Sequence, residues 1–330
     1  MSNYILGAAP FPNPKPVPHQ PPAKEKVHEH QATNKAVPQA SVTFVYQTII
    51  AELWRNVTVT WCKNLIHHSL SITVETPPNQ DQYTCKIDLR TWQFWGRKGL
   101  KSFELDRKRV DIFWDFRQTK FSGNPDPWSN YYVAMVCGQE VVLLLGDLKK
   151  EAYKRTRSRP TLEDAILLYK KEIVYGKRLF CTRSMLVDGK REHDIVIDTS
   201  LSGPGDPEMS ISIDGKMMIR IMNLNWRFRG NETVMLNNLP VQLLWDVHDW
   251  LHTIHGSGPG LFIFKPGTLE CEATSDPNGT LESEADGDPN GSNSSNGNDS
   301  DSIIDSVASA PASPSSKPTF CHFLYAWRTE

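Results

Sequence analysis

Two stretches of this 330-residue chain decide its fold: WRFRGNETVMLNNLPVQLLWD at residues 226–246 and WGRKGLKSFELDRKRVDIFWD at residues 95–115. Both fit the pattern W-x-x-[KR]-G-x₁₀-V-x-[IL]-[FL]-W-D, with every shared position offset by 131 residues. We interpret this repeat as an internal duplication. The positions to which we assign a structural role are Trp95, Gly99, Trp114, Asp115, Trp226, Gly230, Trp245 and Asp246.

Each stretch reads as a β-hairpin whose second strand has one apolar face. Side chains alternate between the two faces of a strand, so Val241, Leu243 and Trp245 share a face that we predict to be buried. Asp106-Arg107 and Asn237-Asn238 stand where a two-residue hairpin turn would lie. Trp114 and Trp245 are therefore expected to anchor two cores.

Period-two alternation with β-branched and aromatic residues extends over most of residues 57–247. We therefore predict an all-β fold of two tandem related antiparallel β-sandwich or barrel-like domains, with a disordered N-terminal arm and an acidic disordered loop. One helix is expected at 161–170, where Thr161 and Asp164 follow Pro160 and could form a capping box.

Composition sets the predicted domain boundaries. Residues 1–40 contain eight prolines, and residues 272–305 contain nine acidic residues and no Lys or Arg. Neither stretch has enough apolar residues to form a core. The predicted order is a disordered Pro-rich arm at 1–40, a first β-domain at 41–150, a basic linker at 151–164, a second β-domain at 165–271 completed by a strand at 319–327, and an acidic disordered insert at 272–318.

The sequence argues against membrane and secreted classes of protein. The longest clean apolar run is VVLLL at 141–145, whereas a membrane span needs about 20 apolar residues. The N-terminus lacks the charged region and apolar core of a signal peptide. The six cysteines form no C-x-x-C pair. We expect reduced thiols in the cytoplasm, with the nucleus as the alternative.

Asp246 and His248 are the best candidates for acid–base chemistry. Both lie on the polar face of the same strand, so an Asp–His contact is possible. Asp246 recurs as Asp115, however, and a repeated Asp is more often a structural hydrogen-bond acceptor than a catalytic residue. We therefore favour a scaffold role for both aspartates.

The sequence contains no recognisable catalytic, phosphate-binding or metal-binding motif. His67-His68 and Glu192-His193-Asp194 lack a third converging ligand, so we expect surface histidines. We predict no cofactor and no metal.

The strongest charged surface is KKEAYKRTRSR at 149–159. It could contact anionic lipid, RNA or an acidic protein, although a solvated linker is the simpler interpretation. Arg227 and Arg229 could bind an anion, but pairing with carboxylates is commoner. The chain's composition does not indicate specific nucleic-acid binding. The candidate basic residues of the 149–159 surface are Lys149, Lys150, Lys154, Arg155, Arg157 and Arg159.

Several longer stretches together resemble the plant family called domain of unknown function 868. These are EVVLLLGDLKKEAYKRTRSRP, EHDIVIDTS, SGPGDPEMSISIDGK, PVQLLWDVHDWL and the terminal FCHFLYAW. The resemblance covers nearly all of 41–271 and 319–327. It implies a plant origin and brings no activity or catalytic residues. We therefore expect a non-enzymatic binding or interaction module of unknown ligand, with an Asp246/His248 enzyme, such as a hydrolase, or a peripheral anionic-lipid binder as alternatives.

Overall fold

A computed structural model describes residues 39–65, 67–76, 82–90, 96–186, 191–201, 205–253, 258–267 and 319–329. The predicted disordered arm and acidic insert lie, except for residues 39 and 40, outside the described residues, as does Trp95. The described part is mostly β-strand, as predicted.

The first half of the chain contributes ten strands in sequence order. They are β1 (Ala40–Ile50), β2 (Leu53–Lys63), β3 (His67–Val74), β4 (Tyr83–Arg90), β5 (Lys98–Leu105), β6 (Lys108–Asp115), β7 (Lys120–Phe121), β8 (Pro127–Ser129), β9 (Tyr132–Cys137) and β10 (Glu140–Gly146).

The helix α1 (Lys149–Thr156) separates these strands from ten more. A second, short helix, α2 (His248–His252), lies between β18 and β19. The later strands are β11 (Arg159–Pro160), β12 (Ile166–Gly176), β13 (Leu179–Ser184), β14 (His193–Ser200), β15 (Glu208–Ile213), β16 (Lys216–Ile221), β17 (Arg229–Leu236), β18 (Leu239–Asp246), β19 (Pro259–Pro266) and β20 (Cys321–Arg328).

One nine-stranded sheet runs through both halves in the order β17-β18-β19-β20-β12-β1-β2-β3-β4. The two halves join where β1 pairs antiparallel with β12. Cross-strand partners lie on the same face of a sheet, and one row of such partners crosses all nine strands. From β4 to β17 this row is Ile87, Leu70, Trp61, Val42, Glu172, Leu324, Phe262, Trp245 and Gly230.

Two smaller sheets cover this face, and each encloses its own core. The sheet β11-β10-β9-β6-β5 supplies the side chains that pack on β1–β4, with Trp114 among them. The sheet β13-β14-β15-β16 supplies those that pack on β18–β20, around Trp245. Both tryptophans are buried, as predicted.

The two predicted hairpins are confirmed in detail. Asp106 and Arg107 connect β5 to β6, and Asn237 and Asn238 connect β17 to β18. All four residues have positive φ, between 50° and 64°. Two consecutive residues with positive φ form the type I′ turn, whose twist matches that of the flanking strands.

The predicted helix at 161–170 is wrong, and the helix lies instead in the segment that we predicted as a linker. Residues 166–176 form β12, which pairs with β1 on one side and β20 on the other, so two rows of backbone hydrogen bonds override the local capping signal. α1 instead packs its buried Ala152 against the outer face of β9 and β10. The predicted linker is thus folded onto the first half.

The terminal segment 319–327 contains a strand of the main sheet. β20 pairs antiparallel with β19 and parallel with β12. The short β11 also pairs parallel, with β10. The nine-stranded and five-stranded sheets are therefore mixed, whereas the sequence led us to expect antiparallel domains.

Candidate functional site

The predicted acid–base pair is not assembled through its side chains. Asp246 Oδ1 accepts a hydrogen bond from the backbone N–H of His248 at 3.1 Å, and Asp246 Oδ2 accepts from Arg229 Nε at 2.7 Å. The imidazole of His248 faces Asp249 instead, with 3.2 Å between Nδ1 and Oδ1. Asp246 therefore holds the chain turn at the end of β18, and its carboxylate is not positioned to orient the His248 ring.

Asp115 makes the same contact in the first half. Its Oδ1 accepts from the backbone N–H of Arg117 at 3.1 Å, and its carboxylate also contacts the side chains of Arg117 and Lys98. Burial raises the pKa of Asp115, but hydrogen bonds from Arg117 bring it below its usual range. This repeated geometry fits the scaffold role that we assigned to both aspartates.

The remaining predicted site residues are spread over the surface. Trp226 is 86% exposed and is not a core residue, because the chain carries it into the turn before β17. Arg227 lies 3.7 Å from Glu232, and Arg229 is paired with Asp246, so both arginines have carboxylate partners. The six basic residues of 149–159 are all exposed on and just after α1.

A polar cleft lies at the junction of the two halves, and we call it the junction cleft. It encloses about 210 Å³. Its floor is the main sheet at β1, β2 and β12, and its walls come from the β8 region and β10 of the first half and from the β13 region of the second. The lining residues are Phe44, Tyr46, Val59, Trp61, Asp126, Pro127, Trp128, Tyr131, Leu145, Leu167, Arg183, Met185 and Glu192.

Three charged side chains converge in the junction cleft. Arg183 Nη1 donates to Glu192 Oε2 at 2.9 Å, and Arg183 Nη2 lies 3.9 Å from Asp126 Oδ2. The guanidinium also stacks on Trp128, with 4.4 Å between its carbon and the ring centroid. Trp128 is 58% exposed and forms the outer rim.

Aromatic rings make up much of the remaining lining. Trp61 and Tyr131 meet edge to face, with ring centroids 6.0 Å apart, and Phe44 and Tyr46 lie 6.3 Å apart. Burial raises the pKa of Tyr46, and so do the charges of Asp126 and Glu192. Burial also raises the pKa of Tyr131. The hydroxyls of Tyr46 and Tyr131 therefore stay protonated at neutral pH.

A buried ionic cluster lies beside the cleft in the main sheet, formed by Lys170, Glu172, Thr182 and His322. Lys170 Nζ lies 2.9 Å from Glu172 Oε2 and donates to the carbonyl oxygen of Arg183 at 2.7 Å. The hydroxyl of Thr182 donates to Glu172 Oε2, and His322 Nε2 lies 3.3 Å from the same oxygen. All four residues are buried.

The ionic cluster fixes which of its members are charged. Burial raises the pKa of Glu172, but Lys170 and His322 outweigh it and bring the pKa to about 2. Burial and the charge of Lys170 lower the pKa of His322 to about 4. At neutral pH the cluster therefore consists of one ammonium, one carboxylate and a neutral imidazole.

His322 is expected to make the protein less stable as the pH falls from about 6.5 to about 4. Its pKa is depressed in the folded state, so across this window the unfolded chain binds a proton that the folded chain does not. The loss is roughly 3 kcal/mol of unfolding free energy. Urea unfolding of the wild type and of His322→Phe between pH 4 and 6.5 measures this loss, and the unfolding free energy of the variant should depend less steeply on pH. If it depends on pH as steeply as that of the wild type, another group causes the loss.

Sequence reasoning missed both the junction cleft and the ionic cluster. Asp126 and Trp128 lie in the turn-rich SGNPDPW stretch, and Arg183 is more than 50 residues away from them in the chain. Only their fold brings them together. One sequence feature could have indicated the ionic cluster. Lys170 and Glu172 are two residues apart in β12, so their side chains lie on the same face, which is buried.

A larger cavity, of about 310 Å³, lies at the end of the first core beside Lys63, His68 and Phe121. Among the residues that the structure describes, no group of three His, Cys, Asp or Glu side chains is arranged to hold a metal ion. None of the described helices is long and apolar enough to cross a membrane.

The family model described as plant protein of unknown function (DUF868) matches residues 37–328. No curated protein and no solved structure matches the chain. The chain therefore belongs to this plant family, as its sequence motifs suggested.

Proposed function

We propose that this member of the DUF868 plant family is a non-enzymatic binding protein that holds a small molecule in the junction cleft. The observation that carries the proposal is the convergence of Asp126, Arg183 and Glu192 in an aromatic cleft. Concave sites lined by aromatic groups with a few converging polar side chains are the usual form of a small-molecule site.

The arrangement supports binding better than catalysis. Both tyrosines have raised pKa values, so neither hydroxyl serves as a proton acceptor near neutral pH. Arg183 and Glu192 are hydrogen-bonded to each other, which leaves Asp126, whose pKa burial raises, as the acid–base candidate of the cleft. The alternative enzyme at Asp246 and His248 would need the imidazole to leave Asp249 and reach Asp246.

Replacing Trp128 with Ala is expected to weaken ligand binding at least tenfold without affecting folding, because its ring is more than half exposed and forms the rim of the cleft. The measurement is a small-molecule fragment screen by NMR on the full chain, repeated on the variant. Trp226→Ala is the matched control, since Trp226 is exposed but does not line the cleft. Fragments that bind wild type and Trp128→Ala equally would contradict the proposal.

We also propose that the two halves arose by duplication. The hairpins β5–β6 and β17–β18 have the same length and turn. In each hairpin the tryptophan of the repeat donates a hydrogen bond from its indole Nε1 to a backbone carbonyl oxygen at 3.0 Å. Trp114 donates to Gly96, and Trp245 donates to Arg227. A side chain on Gly99 or Gly230 would overlap the ring of the facing Trp, which accounts for the repeated glycine.

A second candidate function is contact with an anionic lipid surface through α1, in a protein of the cytoplasm or nucleus. Its support is the exposure of six basic side chains on α1 and the residues that follow it, although Arg159, in β11, is already paired with Glu140. A basic residue near an anionic membrane contributes about 1 kcal/mol. The cysteines at 62, 85, 137, 181 and 321 are free, consistent with a reducing compartment.

Replacing four helix residues with Gln should abolish retention on phosphatidylserine vesicles, and wild-type retention should fall steeply with salt. The four are Lys149, Lys150, Lys154 and Arg155. Vesicle co-sedimentation measures this, with phosphatidylcholine vesicles as the uncharged comparison. A control variant removes four exposed lysines elsewhere, at Lys86, Lys101, Lys177 and Lys216. Equal retention of the two variants would remove this candidate.

A further inference from the structure

We propose that the junction cleft takes a small organic cation, of the size and type of a quaternary ammonium compound. This inference rests on the proposed binding function and names its ligand class.

The charges facing the cleft sum to one net negative charge. Asp126 and Glu192 are acidic and Arg183 is basic, whereas Lys170 and Glu172 of the adjacent ionic cluster neutralise each other at 2.9 Å. His322 adds no charge at neutral pH. A partly enclosed site with a net negative charge favours a cationic ligand.

Asp126 is the carboxylate left with the weakest neutralising contact. Arg183 donates its 2.9 Å hydrogen bond to Glu192, and 3.9 Å separates it from Asp126. Burial raises the pKa of Asp126, and the charges of Lys170 and Arg183 offset only part of that effect. A ligand cation beside Asp126 would supply the missing charge.

The rings of the cleft already accept cations from the protein itself. Arg183 stacks on Trp128 at 4.4 Å, and Lys170 Nζ lies 5.7 Å from the centroid of Phe44. Tyr46, Trp61 and Tyr131 complete the aromatic lining near Asp126. Aromatic rings combined with a carboxylate are the chemistry that recognises alkylated ammonium groups.

A sugar is the competing ligand class, because it also stacks on aromatic rings. A sugar is uncharged, so it could hydrogen-bond to the Asp126 carboxylate but would leave the net negative charge of the cleft unneutralised. The cavity of about 210 Å³ is below the about 300–1,000 Å³ of sites for drug-sized ligands, so the occupant is small.

The test compares choline with 3,3-dimethyl-1-butanol, its neutral isostere of the same shape, and with glucose. Binding to the full chain is followed by calorimetry and by tryptophan fluorescence. Choline should bind about tenfold or more tighter than the isostere, a difference of the size expected for a desolvated cation over aromatic rings.

Asp126→Asn should weaken choline binding by about tenfold and leave the isostere unchanged. The substitution removes a charge that burial already disfavours, so the variant should fold. Trp128→Leu, at the exposed rim, is a second variant that weakens choline binding without depending on the core. Glu208→Gln, which removes a half-buried carboxylate paired with Arg220 outside the cleft, is the matched control.

Each outcome decides one of the two proposals. Binding of the isostere or glucose as tightly as choline, weakened in Trp128→Leu, would overturn the cation inference and leave the binding function standing. No binding of choline or tetramethylammonium at millimolar concentration would also overturn the inference. The binding function itself is tested separately: it fails if fragments bind the wild type and Trp128→Ala with equal affinity.

Discussion

A chain that ends at residue 318 is expected to lose its cooperative thermal transition and to aggregate. The truncation removes β20, which lies between β12 and β19 in the main sheet. Leu324 and Ala326 are fully buried in the second core, and Ala326 accepts the indole hydrogen bond of Trp250 at 3.0 Å. Their loss, with two rows of backbone hydrogen bonds, is comparable to the about 5–15 kcal/mol net stability of a typical protein.

Deleting residues 275–315 is the control for this truncation, and it should leave the melting curve nearly unchanged. The ends of β19 and β20 are neighbours, since Phe264 pairs with His322. A shorter connection between adjacent strands changes the closure entropy only logarithmically. Differential scanning calorimetry measures both chains. If the chain ending at 318 melted like the full protein, β20 would be dispensable and the expectation wrong.

The hairpins were predictable because their information is local. Alternation gave the buried face of β18, and the residue pairs at 106–107 and 237–238 gave the turns. The terminal strand was also predictable, since an apolar segment after an acidic stretch needs a partner. In the hairpins the neighbours in sequence are also the neighbours in the fold, whereas the terminal strand was predictable from its composition alone.

The arrangement of the halves was not predictable from local patterns. β12 carries Lys170 and Glu172 on its buried face. From sequence patterns alone, two charged residues in an apolar segment indicate a helix or an exposed surface. Thr182 of β13 and His322 of β20 contact the Glu172 carboxylate and so reduce the free-energy cost of burying it. Such partners come from distant parts of the chain.

The junction cleft was missed for the same physical reason. Asp126, Arg183 and Glu192 have no shared spacing or motif. Their convergence depends on the pairing of β1 with β12, which sets the two smaller sheets side by side over one face. A sequence pattern records neither contact.

Replacing Glu172 with Gln is expected to destabilise the protein by about 3–5 kcal/mol at neutral pH, because it leaves the Lys170 ammonium buried without its counter-charge. Lys170 Nζ then keeps its hydrogen bonds to the Arg183 carbonyl oxygen, at 2.7 Å, and to the Thr182 hydroxyl, at 3.5 Å, both of which are uncharged. Equilibrium urea unfolding at pH 7 gives the change in free energy.

The double variant Lys170→Met/Glu172→Leu distinguishes the destabilisation caused by an unpaired buried charge from the net contribution of the intact ion pair to stability. Replacing both partners of a buried ion pair with apolar side chains of similar volume is often neutral or stabilising, because neither charge then has to be desolvated. We therefore expect the double variant to be more stable than Glu172→Gln, with an unfolding free energy near that of the wild type. A double variant as unstable as the single one would mean that the pair itself holds β12 between β1 and β20. In that case the charged residues at the junction would be a stabilising part of the fold, and their burial beside the cleft would need no functional explanation.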